Sequence, residues 1–76
     1  MPLQVYVVRQ TDGLWQVRLR SRVVVSGQLS EMEAFRAAEA LAQSGALRGE
    51  RSTILVADLD GQFIEFPEIR PAPIRA

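Results

Sequence analysis

Apolar and polar residues alternate with a period of two over most of this chain, and one stretch breaks to a helical period. Leu3 to Gln10 (LQVYVVRQ) is rich in β-branched and aromatic residues with partial alternation, which predicts a first strand. Thr11-Asp12-Gly13 follows, and an Asp-Gly pair between two such runs signals a hairpin, because both residues tolerate positive φ. Leu14 to Arg20 alternates most cleanly, with Trp15, Val17 and Leu19 on one face and Gln16, Arg18 and Arg20 on the other. Ser21-Arg22 is expected to turn into a third strand, Val23 to Ser26, ended by Gly27. Ser52 to Ala57 (STILVA) reads as a fourth strand and Gln62 to Phe66 as a fifth, joined by the turn residues Asp58-Leu59-Asp60-Gly61.

The helical stretch is Ser30 to Gly45 (SEMEAFRAAEALAQSG). Ser30 and Glu33 form an S-x-x-E capping box, and Glu31 and Glu33 put negative charge in the first turn, where the helix dipole favours it. Gly45 is the expected stop, since glycine takes the left-handed conformation cheaply. Ala34, Phe35, Ala38, Leu41 and Ala42 share one face, while Glu33, Arg36, Ala40 and Gln43 point away. A stripe that is mostly alanine lets the helix approach a sheet closely. These elements predict an α+β fold: a two-layer β-β-β-α-β-β unit, its antiparallel sheet covered on one face by a single helix over about residues 31–44. Residues 1–66 form the one domain. Pro67, Pro71 and Pro73 oppose regular pairing, so residues 67–76 are expected to be a flexible tail.

One helix covers one face, yet apolar residues occur on both. Tyr6 and Val8 oppose Leu3, Val5 and Val7; Leu55 opposes Ile54 and Val56; Phe63 opposes Ile64 and Phe66. Apolar surface left on the second face marks an interaction surface, with Tyr6, Val8, Leu55 and Phe63 as candidate dimer-face residues. A homodimer packed sheet to sheet or through edge strands, or a small protein partner, would cover it, and so would the twist of the sheet together with the tail.

Composition narrows the chemistry more than it identifies it. The 76 residues contain neither cysteine nor histidine, which removes thiolate nucleophiles, Cys-based zinc sites and the usual base of a Ser or Cys triad. All nine cations are arginine, so Schiff-base and P-loop lysine chemistry lack their residue. Asp58, Asp60 and Gly61 resemble a fragment of a calcium loop, but that spacing needs acids where Val56 and Pro67 stand, and a hairpin turn accounts for them. Glu31, Glu33 and Glu39 sit on the first turn and flank of a helix, with Arg36 in pairing range of Glu33, rather than in a cleft. No enzyme activity, cofactor, metal or small-molecule substrate is expected. No apolar run reaches the roughly 20 residues that span a bilayer, and MPLQVYVVRQ lacks a signal peptide's basic region and long apolar core, so a cytoplasmic location is expected.

The formal charge is zero but uneven: residues 1–30 carry four arginines against Asp12 (+3), and residues 31–76 carry five against eight acids (−3). Arg18, Arg20 and Arg22 lie two apart and would line one strand face, with Arg9 beside them and Trp15 near in sequence. Guanidinium forks suit phosphates and guanine edges, and a β-sheet can enter a major groove. Arg9, Trp15, Arg18, Arg20 and Arg22 are therefore the candidate nucleic-acid contacts. Trp15 discriminates: under the helix it is core, beside Arg18 it is a contact.

Several of these residues carry a resemblance. Trp15-Gln16-Val17-Arg18, then Glu33-Ala34, Ala37-Ala38 and Leu41-Ala42, and finally Val56-x-Asp58-x-Asp60-Gly61 resemble domain-of-unknown-function family 2188, a family of small bacterial domains. The likeness spans roughly residues 5–65; the valine-rich third strand, the longer loop after the helix and the proline-rich tail depart from it. It implies a fold and no agreed activity, so no catalytic residue carries over. Residues 6–42, with Tyr6-Val7-Val8-Arg9, Trp15, Arg18, Arg20 and the Glu33-Ala34 helix, also look like the sheet-plus-helix of plant ethylene-response-factor and phage integrase amino-terminal DNA-binding domains. That second likeness implies DNA contacts at Arg9, Trp15, Arg18 and Arg20, although this chain lacks those families' lysine excess and adds two strands.

Overall fold

A computed structural model of the chain describes residues 2–71. In chain order the elements are β1 (Leu3–Thr11), β2 (Leu14–Leu19), β3 (Arg22–Gln28), α1 (Glu31–Leu47), β4 (Arg51–Ala57) and β5 (Phe63–Glu65). They form an α+β unit in which one sheet of order β3-β2-β1-β4-β5 carries α1 across one face. The sheet is mixed, not purely antiparallel: β1 and β4 pair in parallel, and the other neighbours are antiparallel. The reason is the path of α1. Two hairpins leave β3 running the same way as β1, and the helix then carries the chain back over β2 and β1, so β4 arrives beside β1 in that same direction.

Two-residue turns set the register of the first three strands. Asp12 and Gly13 both take positive φ, 53° and 80°, so Thr11 pairs with Leu14, Val8 with Val17 and Tyr6 with Leu19. The second turn is Arg20-Ser21, one residue earlier than expected, with φ of 52° and 66°. β3 also runs further than expected, to Gln28, because its pairing with β2 slips between Arg18 and Val17 and again between Val17 and Trp15; Gly27, at φ 70°, takes up part of the second slip.

α1 begins as its capping box requires. The Ser30 hydroxyl accepts from the Glu33 N–H at 3.1 Å, and the Glu33 carboxylate accepts from the N–H of Leu29, one residue before the cap. That use of Glu33 leaves Arg36 without the expected pair among the described residues. The far end differs from expectation. α1 continues through Gly45 to Leu47 and closes in a Schellman motif, with Glu50 N–H to Gly45 C=O and Gly49 N–H to Ala46 C=O. Gly49, at φ 85°, is the left-handed stop. Gly45 is a helix-interior residue whose missing Cβ admits the Glu50 carboxylate, since a Cβ there would stand 2.6 Å from Oε1.

The core lies between α1 and the sheet. Ala34, Ala38 and Ala42 are fully buried against Tyr6, Val8, Trp15, Val17, Ile54 and Val56, with Phe35 and Leu41 packed at the margin. Burial pushes the Tyr6 phenol above its ordinary range, Glu50 adds to that shift and Arg48 opposes it. After β5 the chain stays on the sheet. Phe66 donates its N–H to Ile54, Ile69 exchanges both backbone hydrogen bonds with Ser52, and the Phe66 ring meets Phe35 at 4.7 Å. Of the expected tail, residues 67–71 thus run beside β4, and residues 72–76 lie outside the described residues. Among the described residues no helix is long and apolar enough to cross a membrane.

Candidate interaction face

Alternation and register decide which side chains share the face opposite α1. Val7 pairs with Arg18 on β2 and Leu55 on β4, and Leu55 pairs with Glu65 on β5. These residues form one row across the uncovered face: Arg18, Val7, Leu55, Glu65. The next row holds Gln16 opposite Arg9, and Ala57 opposite Phe63. Leu3 and Val5 extend the apolar band down β1. Leu3 and Phe63 are exposed, and Val5, Val7 and Leu55 are half-buried by their longer neighbours.

The candidate dimer-face residues divide on this map. Leu55 and Phe63 lie on the uncovered face as expected. Tyr6 and Val8 do not: they are 5% and 0% exposed beneath α1, because pairing with Leu19 and Val17 puts them on Trp15's side. Their places on the uncovered face are taken by Val5 and Val7.

The candidate nucleic-acid residues divide as well. Arg9, Arg18 and Arg20 come together with Val7, Ser21 and Phe63 around one shallow groove of about 260 Å³. None of the three has a carboxylate partner among the described residues. Arg18 donates from Nη2 to the Ser21 carbonyl at 3.1 Å, which ties it to the strained Arg20-Ser21 turn, and its Nε is shielded from solvent without an acceptor. Trp15 lies apart from these arginines. It sits on the α1 face, 9% exposed, as part of the core. Arg22 pairs opposite Leu19 at the start of the edge strand and stands outside the groove.

The turn residues behave as turn residues. One carboxylate oxygen of Asp58 accepts from the N–H groups of Asp60 and Gln62, both at 2.9 Å, closing the β4–β5 loop. No cluster of potential metal ligands occurs among the described residues. The uncovered face is thus cationic over β2 and β1 and anionic at Glu65 on β5. At the Leu3 end of the same face, Arg51, which pairs opposite Leu3, and Arg70 both bind Glu68, at 2.7 and 2.8 Å, and the hydrogen bond from Arg51 holds the Glu68 carboxyl below its usual range. Compared with known proteins, the chain matches no family model, no curated protein and no solved structure.

Proposed function

We propose that this chain is a small, non-enzymatic interaction module that works as a homodimer through the sheet face opposite α1, in the cytoplasm of a bacterium. The observation that carries this reading is the uncovered band of Leu3, Val5, Val7, Leu55 and Phe63, bordered by charges that have no partner among the described residues. A second copy would bury that band and bring Glu65 within reach of one of the arginines. The edges are poorer docking sites. β3 is bulged along its pairing with β2, and β5 is three residues long and followed by Pro67. The test is sedimentation equilibrium from micromolar to millimolar chain. A reversible monomer–dimer equilibrium supports the reading, and a monomer throughout defeats it.

A second reading rests on Arg9, Arg18 and Arg20, which line one groove free of carboxylates: a sheet that binds DNA. Here Arg18→Ala with Arg20→Ala lowers duplex affinity and leaves the fold intact. The two readings compete for one surface. An amide-resolved titration with mixed-sequence duplex separates them, because shifts at Arg9 and Leu14 to Arg22 that persist at physiological salt favour DNA, whereas shifts lost with salt leave only weak charge attraction.

A further inference from the structure

We infer that the dimer has a two-fold axis running parallel to the strands, between β1 and β4, so that Arg18 of each copy meets the Glu65 carboxylate of the other. The inference rests on the homodimer reading above and adds its geometry. Two sheets packed face to face keep their strands within about 30° of one another. A two-fold relating them must then lie in the plane between the sheets, either along the strands or across them.

Charge decides between these. With the axis along the strands and between β1 and β4, the rotation exchanges β1 with β4 and β2 with β5, because strand spacing is constant across the order β2-β1-β4-β5. The row Arg18, Val7, Leu55, Glu65 then falls on its own reverse. Val7 of one copy meets Leu55 of the other, and Arg18 meets Glu65, twice by symmetry. In the next row Phe63 of one copy covers the aliphatic part of Gln16 in the other, and Arg9 lies over Ala57. β3 overhangs, which suits the strand whose pairing is bulged. With the axis across the strands, each strand would lie antiparallel on its own copy, β2 on β2 and β5 on β5, and Arg18 would not reach Glu65 of the other copy.

The same row is a poor match for a polyanion. A phosphate chain laid along this row from Arg18 would cross Val7 and Leu55 and end on the Glu65 carboxylate. For a self-complementary surface, an apolar centre between opposite charges is the expected pattern.

Arg18→Glu and Glu65→Arg test this geometry, each alone and then mixed in equal amounts, by sedimentation equilibrium beside the wild type. Each variant alone places like charges at both contacts, and its dimer dissociation constant rises by roughly tenfold or more. In the mixture, the glutamate introduced by Arg18→Glu in one chain meets the arginine introduced by Glu65→Arg in the other. The second contact keeps its natural charges, so a heterodimer forms with close to wild-type affinity. Should either variant fail to fold by circular dichroism, a nitroxide on Gln62→Cys replaces it, a clean label because the chain has no cysteine. Mixed with isotope-labelled wild type, it broadens Gln16 and Arg18 of the other chain. A wild type that dimerises while the variants do so equally well, while the mixture stays monomeric, or while the nitroxide leaves Gln16 and Arg18 sharp, overturns the geometry and leaves the homodimer standing. A wild type that never dimerises removes both.

Discussion

Replacing Ser21 by glycine should stabilise this protein. Ser21 is the second residue of the β2–β3 turn and sits at φ 66°, following Arg20 at 52°. A residue with a Cβ loses about 1–2 kcal/mol in the left-handed region, because Cβ crowds the carbonyl oxygen that follows. Glycine escapes that crowding, but its extra freedom in the unfolded chain takes back roughly 0.5–1 kcal/mol. The difference is a gain of about 0.5–1 kcal/mol. The bond that Arg18 Nη2 makes to this residue ends on the backbone carbonyl and survives the substitution. For a domain of this size, about 1 kcal/mol moves the melting temperature by roughly 4–8 °C, so Ser21→Gly should melt roughly 2–8 °C higher. Thermal denaturation by circular dichroism reads this directly, at one fixed chain concentration because dimerisation itself stabilises. In urea unfolding the midpoint should rise with the slope unchanged, since the surface exposed on unfolding is the same. A melting temperature equal to or below wild type would refute the assignment of strain to this turn.

Other substitutions probe the remaining supports of the fold. Ala38→Leu pushes three more heavy atoms between α1 and the sheet at a fully buried position, and should lower stability by about 1–3 kcal/mol in urea unfolding. The two glycines near the end of α1 should respond differently to alanine in the same assay. Gly49→Ala loses about 1 kcal/mol at φ 85°, whereas Gly45→Ala stays within about 0.5 kcal/mol of wild type, its gain in helix propensity offset by displacement of the Glu50 carboxylate from Arg48. The Glu68 carboxyl is held low by Arg51, so its contribution is complete above the ordinary carboxylate range and is lost as pH falls through the depressed value. Protection factors at Ser52 and Ile69, corrected for intrinsic exchange and compared with those in the core strands, should therefore fall selectively on acidification.

Much of this fold is legible in the residues, and the failures have physical causes. The capping box at Ser30 and Glu33, the alanine stripe and the Asp12-Gly13 turn are local signals, and each is found where its pattern lies. The parallel pairing of β1 and β4 is not legible, because alternation assigns faces and says nothing about neighbours. Gly45 reads as the helix stop because two glycines compete there; only packing shows that the Glu50 carboxylate needs the first, while the second takes the left-handed angle. The docked segment after β5 escapes the pattern because proline forbids a regular ladder but not the paired bonds of Ser52 and Ile69 or the Phe66 contact with Phe35.

The uncovered face shows both limits at once. A two-residue turn at Asp12-Gly13 dictates that Tyr6 and Val8 pair with Leu19 and Val17, on Trp15's side, and so leaves Val7 beside Arg18. That much follows from the hairpin, and it moves Tyr6, Val8 and Trp15 into the core together. The row completed by Leu55 and Glu65 does not, since it depends on the parallel crossover. The charges that border the apolar band are distant in sequence and fall into one row only when α1 brings β4 to β1.

The central claim is that this band is where the protein meets a second copy of itself. A dilution series followed by amide and methyl NMR, from millimolar chain downward with diffusion recorded at each step, tests it most directly. Concentration-dependent shifts should concentrate at Val5, Val7, Arg18, Leu55 and Glu65, leave the outer face of α1 at Arg36, Ala40 and Gln43 unmoved, and follow a change in diffusion from dimer to monomer. Shifts centred on α1 instead, or a spectrum and diffusion that do not change with concentration, would contradict it.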